Sequence, residues 1–256
     1  MQNINFKLTK QELETLKQIE KQIGYTFRKK QLLFVAITHT SYTTYAKRTK
    51  GIPFSYERLE FLGDAVLEFI VTDIIVRRFR SKEEGKLSAL RAFLVKEETL
   101  AKICKDLDIA KYVLVGQSFK DTIKSSDHVL SDIYESLVGA VYLDSGIRSA
   151  KHFVKNTLIN KYDLYKILVN KLYMDSKTLL QEKVQKLFKI TPVYEIKTVS
   201  KQVSKKGSQK YQAYVKIKGI AVSTAYGSTK AKAEFEAAKK ALENWNNIIK
   251  KLNVKN

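Results

Sequence analysis

Cysteine and proline are nearly missing from this chain: 256 residues carry one of the first and two of the second. A single thiol, Cys104, cannot form an internal disulfide, which fits a reducing compartment. No run of about 18 apolar residues occurs, so a membrane-spanning helix is excluded. The opening stretch, MQNINFKLTKQELETLKQIEKQIG, lacks an apolar core of signal-peptide length. Its three glutamates argue against a transit peptide. A cytoplasmic protein with no membrane segment is expected. Disorder is also excluded, since 44% of residues are hydrophobic and 11% aromatic.

Acidic charge is scarce as well, and the formal net charge is +21. From Lys171 onward there are 19 lysines, no arginine and six carboxylates, a net of +13. Basic charge concentrated in the last third points to a polyanion, either a nucleic acid or an anionic surface.

Two grammars divide the chain. From about Thr9 to Lys161 apolar residues recur at three and four, which predicts helices throughout, including runs at 87–104, 127–143 and 147–160. After about Leu172 an amphipathic helix is expected at 176–189, with Leu179, Leu180, Val184, Leu187 and Phe188 on its apolar side. Strand-like runs follow at 192–199, 211–218 and 220–226, then an alanine-rich helix over about 228–249 capped by Ser228 or Thr229. The chain is therefore expected to be multidomain. An all-α domain (1–168) precedes a small α+β domain (172–250) of order α-β-β-β-α, with a short join inside 163–175.

Against the basic background, YERLEFLGDAVLEFI (56–70) gathers four carboxylates. Glu57, Glu60, Asp64 and Glu68 are spaced three, four and four apart, an arc of roughly 80° on a helix. Apolar residues occupy nearly every other position, so the helix is expected to be buried with its acidic stripe facing a cleft. A solvated acidic face is the alternative. Unrelieved like charges at i,i+4 are destabilising, and in a lysine-rich chain they favour a missing cation. LSDIYESLVGAVYLDSG (130–146) adds Asp132 and Glu135, three apart. Two such helices can close on a hard cation of the Mg²⁺ type, which takes oxygen ligands. Gly63 and Gly139 are expected to let the helix backbones approach.

YERLEFLGDAVLEF resembles the signature of the ribonuclease III family, and DIYESLVGAVYLDSG resembles its second acidic motif. THTSY (38–42) and EEGKLSALRAFLV (83–95) resemble two further family blocks. The last third, with GSTKAKAEFEAAKKAL, is similar to a double-stranded RNA-binding domain. The resemblance implies an Mg²⁺-dependent endonuclease that hydrolyses double-stranded RNA to 5′-phosphate and 3′-hydroxyl ends and works as a homodimer. It implies that Glu60, Asp132 and Glu135 are metal ligands, and that Asp64 and Glu135 are catalytic. Glu57 and Glu84 become secondary acidic positions, and His39 is read as structural. Bacterial relatives process ribosomal, messenger and transfer RNA precursors, and the same substrates are expected here.

In such a binding domain the first helix enters a minor groove, which assigns Gln181 and Glu182, with Gln185 next to them, to ribose hydroxyls. The last helix presents its N-terminus, with Lys230 and Lys232, to phosphates. Two positions depart from the family pattern. Gly207 stands where a loop histidine is frequent, and Ala231 interrupts the usual paired lysines. Lys205, Lys206 and Lys210 are expected to compensate through phosphate contacts. A catalytically silent RNA-binding relative would have lost an acidic ligand, and none is lost. A general polyanion binder leaves the acidic stripes unexplained.

Overall fold

A computed structural model describes residues 6–43, 55–116, 126–199 and 210–253. The chain divides into two compact units, Met1–Val169 and Asn170–Asn256. Among the described residues, no helix is long and apolar enough to cross a membrane.

The first unit is helical. Helix α1 (Lys10–Ile23) opens with a capping box. The Glu12 backbone N–H donates to Thr9 Oγ1 at 3.2 Å, and the Thr9 N–H donates back to Glu12 Oε2 at 2.8 Å. Helix α2 (Lys30–Ala36) follows, then α3 (Glu57–Arg78), α4 (Glu84–Val95), α5 (Glu97–Asp106), α6 (Asp127–Thr157) and α7 (Leu164–Val169). The central element is α6. Leu130, Ile133, Tyr134, Leu137, Val138, Ala140 and Val141 are all fully buried. Its polar atoms are satisfied: the Tyr134 hydroxyl pairs with Thr157 Oγ1 at 2.8 Å, and Ser136 Oγ donates to the Ala36 carbonyl at 2.6 Å.

Two expectations need correction here, and a third holds. The run at 87–104 is two helices, because Lys96 is extended (φ −68°, ψ 152°). The Thr99 hydroxyl ties the break to the Phe93 carbonyl, and Glu97 and Glu98 open α5 at its positive end. The expected separation of the runs at 127–143 and 147–160 is present: α6 is two helical stretches joined across a kink at Gly146 (φ 78°, ψ −176°). Helix α3 is not apolar-buried all round. Leu59, Val66, Leu67, Ile70 and Val71 are buried, whereas Phe61 is 84% and Phe69 61% exposed. Only one side of α3 faces α6, and the outer aromatic residues find no cover among the described residues.

In the second unit α8 (Ser176–Phe188) is capped by Asp175, which accepts from the Lys177 and Thr178 N–H groups. Strands β1 (Val193–Thr198), β2 (Tyr211–Ile217) and β3 (Ile220–Gly227) form an antiparallel sheet in sequence order. Helix α9 (Lys230–Glu243) covers it. The core joins Leu180 and Val184 to Ala213, Val215, Ile217 and Ala225, and to Ala233, Ala237, Ala238 and Ala241 of α9. Alanines let the helix lie close on the sheet. Thr229, not Ser228, is the N-cap, accepting from the Lys232 N–H at 3.2 Å. Leu187, expected on the apolar side of α8, is 53% exposed. The last helix ends at Glu243, six residues short of the expected 249, and α10 (Trp245–Asn253) begins beyond Asn244. This turn brings Trp245, Ile248 and Leu252 back into the core, where a straight helix would carry them away.

Candidate active site

The site is built where α3 crosses α6. A Cβ added at Gly63 would lie 1.8 Å from the Glu135 carbonyl oxygen, and one at Gly139 would lie 2.2 Å from the Leu59 carbonyl oxygen. The two glycines therefore set the crossing, as their size led us to expect. Glu60 lies one turn before Gly63, and Glu135 one turn before Gly139. That contact brings Glu60, Asp132 and Glu135 together, each with an oxygen within 4.8 Å of the others.

Burial and mutual repulsion raise the pKa values of these groups. Glu135 is pushed from its ordinary 4.5 to about 8, first by burial, then by Asp64, Asp132, Glu60 and Glu68. Burial also raises Glu60, with Asp132 and Glu57 adding to it, and burial raises Asp132. Among the described residues no lysine or arginine pairs with Glu60 or Glu135. Three crowded oxygens with excess negative charge suit a hard divalent cation.

Other members of the predicted set fall outside this triplet. Asp64 is exposed and acts on Glu135 through its charge. Glu57 accepts from Ser55 Oγ at 2.9 Å and acts on Glu60. Glu84 opens α4, is exposed and accepts from Ser88 Oγ at 2.6 Å. It lines a groove with Arg80, Lys82 and Arg91.

Two residues near the site were missed. The Tyr56 hydroxyl donates to Asp132 Oδ2 at 3.1 Å, and His128 Nδ1 lies 3.6 Å from Asp132 Oδ1. His128 stands four residues before Asp132, a signal available in the sequence. Tyr56 meets Asp132 only through folding. His39 packs on Tyr56, with ring centroids 5.7 Å apart, and its Nδ1 accepts from the Ser41 N–H at 3.1 Å. Burial lowers its pKa, against the opposing charges of Glu57 and Asp132.

Ribonuclease 3 of a Nitratiruptor species is 38% identical over 232 residues, 90% of this chain and 97% of that protein. The chain belongs to the ribonuclease III family. Ribonuclease 3 of Borreliella burgdorferi is 32% identical over 95% of this chain and 97% of its own length. The Ribonuclease-III-like family model matches residues 29–162, and the double-stranded RNA binding motif matches 176–244. The nuclease domain of Campylobacter jejuni ribonuclease III superposes with a TM-score of 0.53 at 33% identity, over 57% of this chain and 98% of that one. The protein is thus a ribonuclease III enzyme, a nuclease joined to a double-stranded RNA-binding domain.

In that RNA-binding domain, Gln181 is exposed on α8. Glu182 is paired with Lys171. Lys230 and Lys232 are exposed in the first turn of α9, with Ala231 exposed between them. Lys205, Lys206 and Gly207 lie outside the described residues.

One consequence of the crowding is measurable in metal-free protein. Because folding raises the Glu135 pKa, its contribution to stability is complete below about pH 4.5 and is lost as the pH rises through 8. In EDTA the melting temperature should therefore fall between pH 5 and pH 9. Glu135→Gln should flatten that fall and melt above the unsubstituted protein at pH 8. Identical pH profiles for the two proteins would contradict the assignment.

Proposed function

We propose that this enzyme is an Mg²⁺-dependent endonuclease cutting double-stranded RNA to 5′-phosphate and 3′-hydroxyl ends. The convergence of Glu60, Asp132 and Glu135 carries the reading. In this reading those three hold the metal, and Asp64 and Glu135 are catalytic. When bound, Mg²⁺ supplies an activated water and neutralises charge that develops on the phosphate. The chain's own part is to present the ligands: Tyr56 fixes one Asp132 oxygen, and the glycine contact holds α3 and α6 at the required separation. Glu135, whose pKa burial and its acidic neighbours raise, would be held in its ionised form by a bound cation. Glu57 and Glu84 shape the cleft.

Residues 1–168 carry the chemistry, and 172–250 carry duplex recognition. Gln181 and Glu182 meet ribose hydroxyls, while Lys205, Lys206, Lys230 and Lys232 meet phosphates. The working form is a homodimer in the cytoplasm. The exposed apolar residues Phe61, Phe69, Leu143 and Ile147 support an unfilled apolar interface. Its substrates are ribosomal, messenger and other structured RNA precursors.

Labelled RNA duplex incubated with Mg²⁺ or with EDTA tests the reading. Cutting should occur in the first tube alone. Equal cutting in both tubes, or none in either, would refute it.

A further inference from the structure

Lys171 lies outside every motif described above, since the RNA-binding motif is matched only from residue 176. It nevertheless belongs to the second compact unit, which begins at Asn170. Its backbone is left-handed (φ 51°), a conformation that residues bearing a Cβ adopt at a cost. The Lys171 carbonyl accepts from the Met174 N–H at 3.0 Å, in a turn that leads into the Asp175 cap of α8. From this turn the Lys171 ammonium reaches Glu182 and pairs with its carboxylate. Glu182 is on the side of α8 away from buried Leu180 and Val184.

We propose that Lys171 is a positioning residue for duplex RNA recognition: it fixes the Glu182 carboxylate and cancels its charge, so that α8 can enter the minor groove. The inference rests on the reading of Glu182 as a ribose-facing residue. A bare carboxylate moved among phosphates is repelled by them. Held by an ammonium, it keeps lone pairs free for a 2′-hydroxyl without adding net negative charge to the interface. The side chains of the pair are 41% and 43% exposed, so the pair adds little to the stability of the free protein. Its effect falls on binding, and on RNA more than DNA, because only RNA carries the 2′-hydroxyl.

The test compares binding of the full chain in EDTA to labelled RNA and DNA duplexes of the same sequence. Unsubstituted protein should prefer RNA; no preference would overturn the reading of α8 itself, and this inference with it. Lys171→Met should weaken RNA binding roughly fivefold, the upper end for an exposed ion pair. DNA binding should change less, and Lys171→Arg should restore the RNA preference. In a Glu182→Gln background Lys171→Met should cost less than about twofold. Lys171→Gly, which accepts the left-handed backbone without strain, should match Lys171→Met and guards against misfolding. Equal losses on RNA and DNA would show a simple phosphate contact and overturn the proposal. It would also fall if Lys171→Met left RNA binding unchanged, strengthened it, or cost the same factor with and without Glu182→Gln.

Discussion

Glu135→Gln should reduce cleavage of saturating duplex RNA by orders of magnitude while leaving duplex binding intact. The amide keeps the size and shape of the carboxylate, so α6 and its neighbours need not repack. What is lost, under the proposed reading, is a ligand charge beside Glu60 and Asp132, with which Glu135 shares a 4.8 Å cluster. Removing that charge weakens both the hold on a divalent cation and the field that activates water. Binding survives because the exposed lysines of α9 and the face of α8 belong to the other compact unit. A binding titration and a single-turnover cleavage assay on the same preparation separate the two effects. Near-normal turnover in the variant would sink the metal assignment.

Gly63→Ala should be the most damaging glycine-to-alanine change among the described residues. The added carbon would sit 1.8 Å from the Glu135 carbonyl oxygen and 2.6 Å from its carbonyl carbon. Both are backbone atoms, so no side-chain rotation relieves the clash and α3 must move away from α6. Overpacking of this kind costs about 1–3 kcal/mol, and rigid backbone on both sides places this substitution at the upper end. For a unit of this size that corresponds to a fall of roughly 6–12 °C in melting temperature. Activity should fall further than stability, since Glu60 and Glu135 ride on the two helices being forced apart. Gly85→Ala is the control. A Cβ there meets nothing within 4 Å, and alanine is the better helix former by about 1 kcal/mol. Unchanged melting and cleavage in Gly63→Ala would show that the crossing is not set by backbone contact.

Much of this was legible because it is local. Carboxylates three and four apart share a helix face whatever the fold, so Glu60 with Asp64 and Asp132 with Glu135 were readable directly. The same holds for the caps, where Thr229 meets the Lys232 N–H three residues on, and for strands whose alternation names their buried side. Helix ends were harder. Lys96 and Asn244 carry no proline or glycine to announce a break, and the chain turns there because Leu94, Leu100 and Trp245 must all reach cores that one straight helix could not serve.

By itself the sequence determined the helical character of the first unit, the three strands between helices in the second and the acidic pairs, because residues a few positions apart interact through fixed backbone geometry. Only the tertiary structure decided which carboxylates meet. It selected Glu60, Asp132 and Glu135, leaving Asp64 and Glu84 outside the triplet. It also set Tyr56 on Asp132 across 76 positions and turned Lys171 back to Glu182. Those contacts depend on how closely two helices pack and how a strained turn is aimed, and both are set by the filled volume of the core and not by any local repeat.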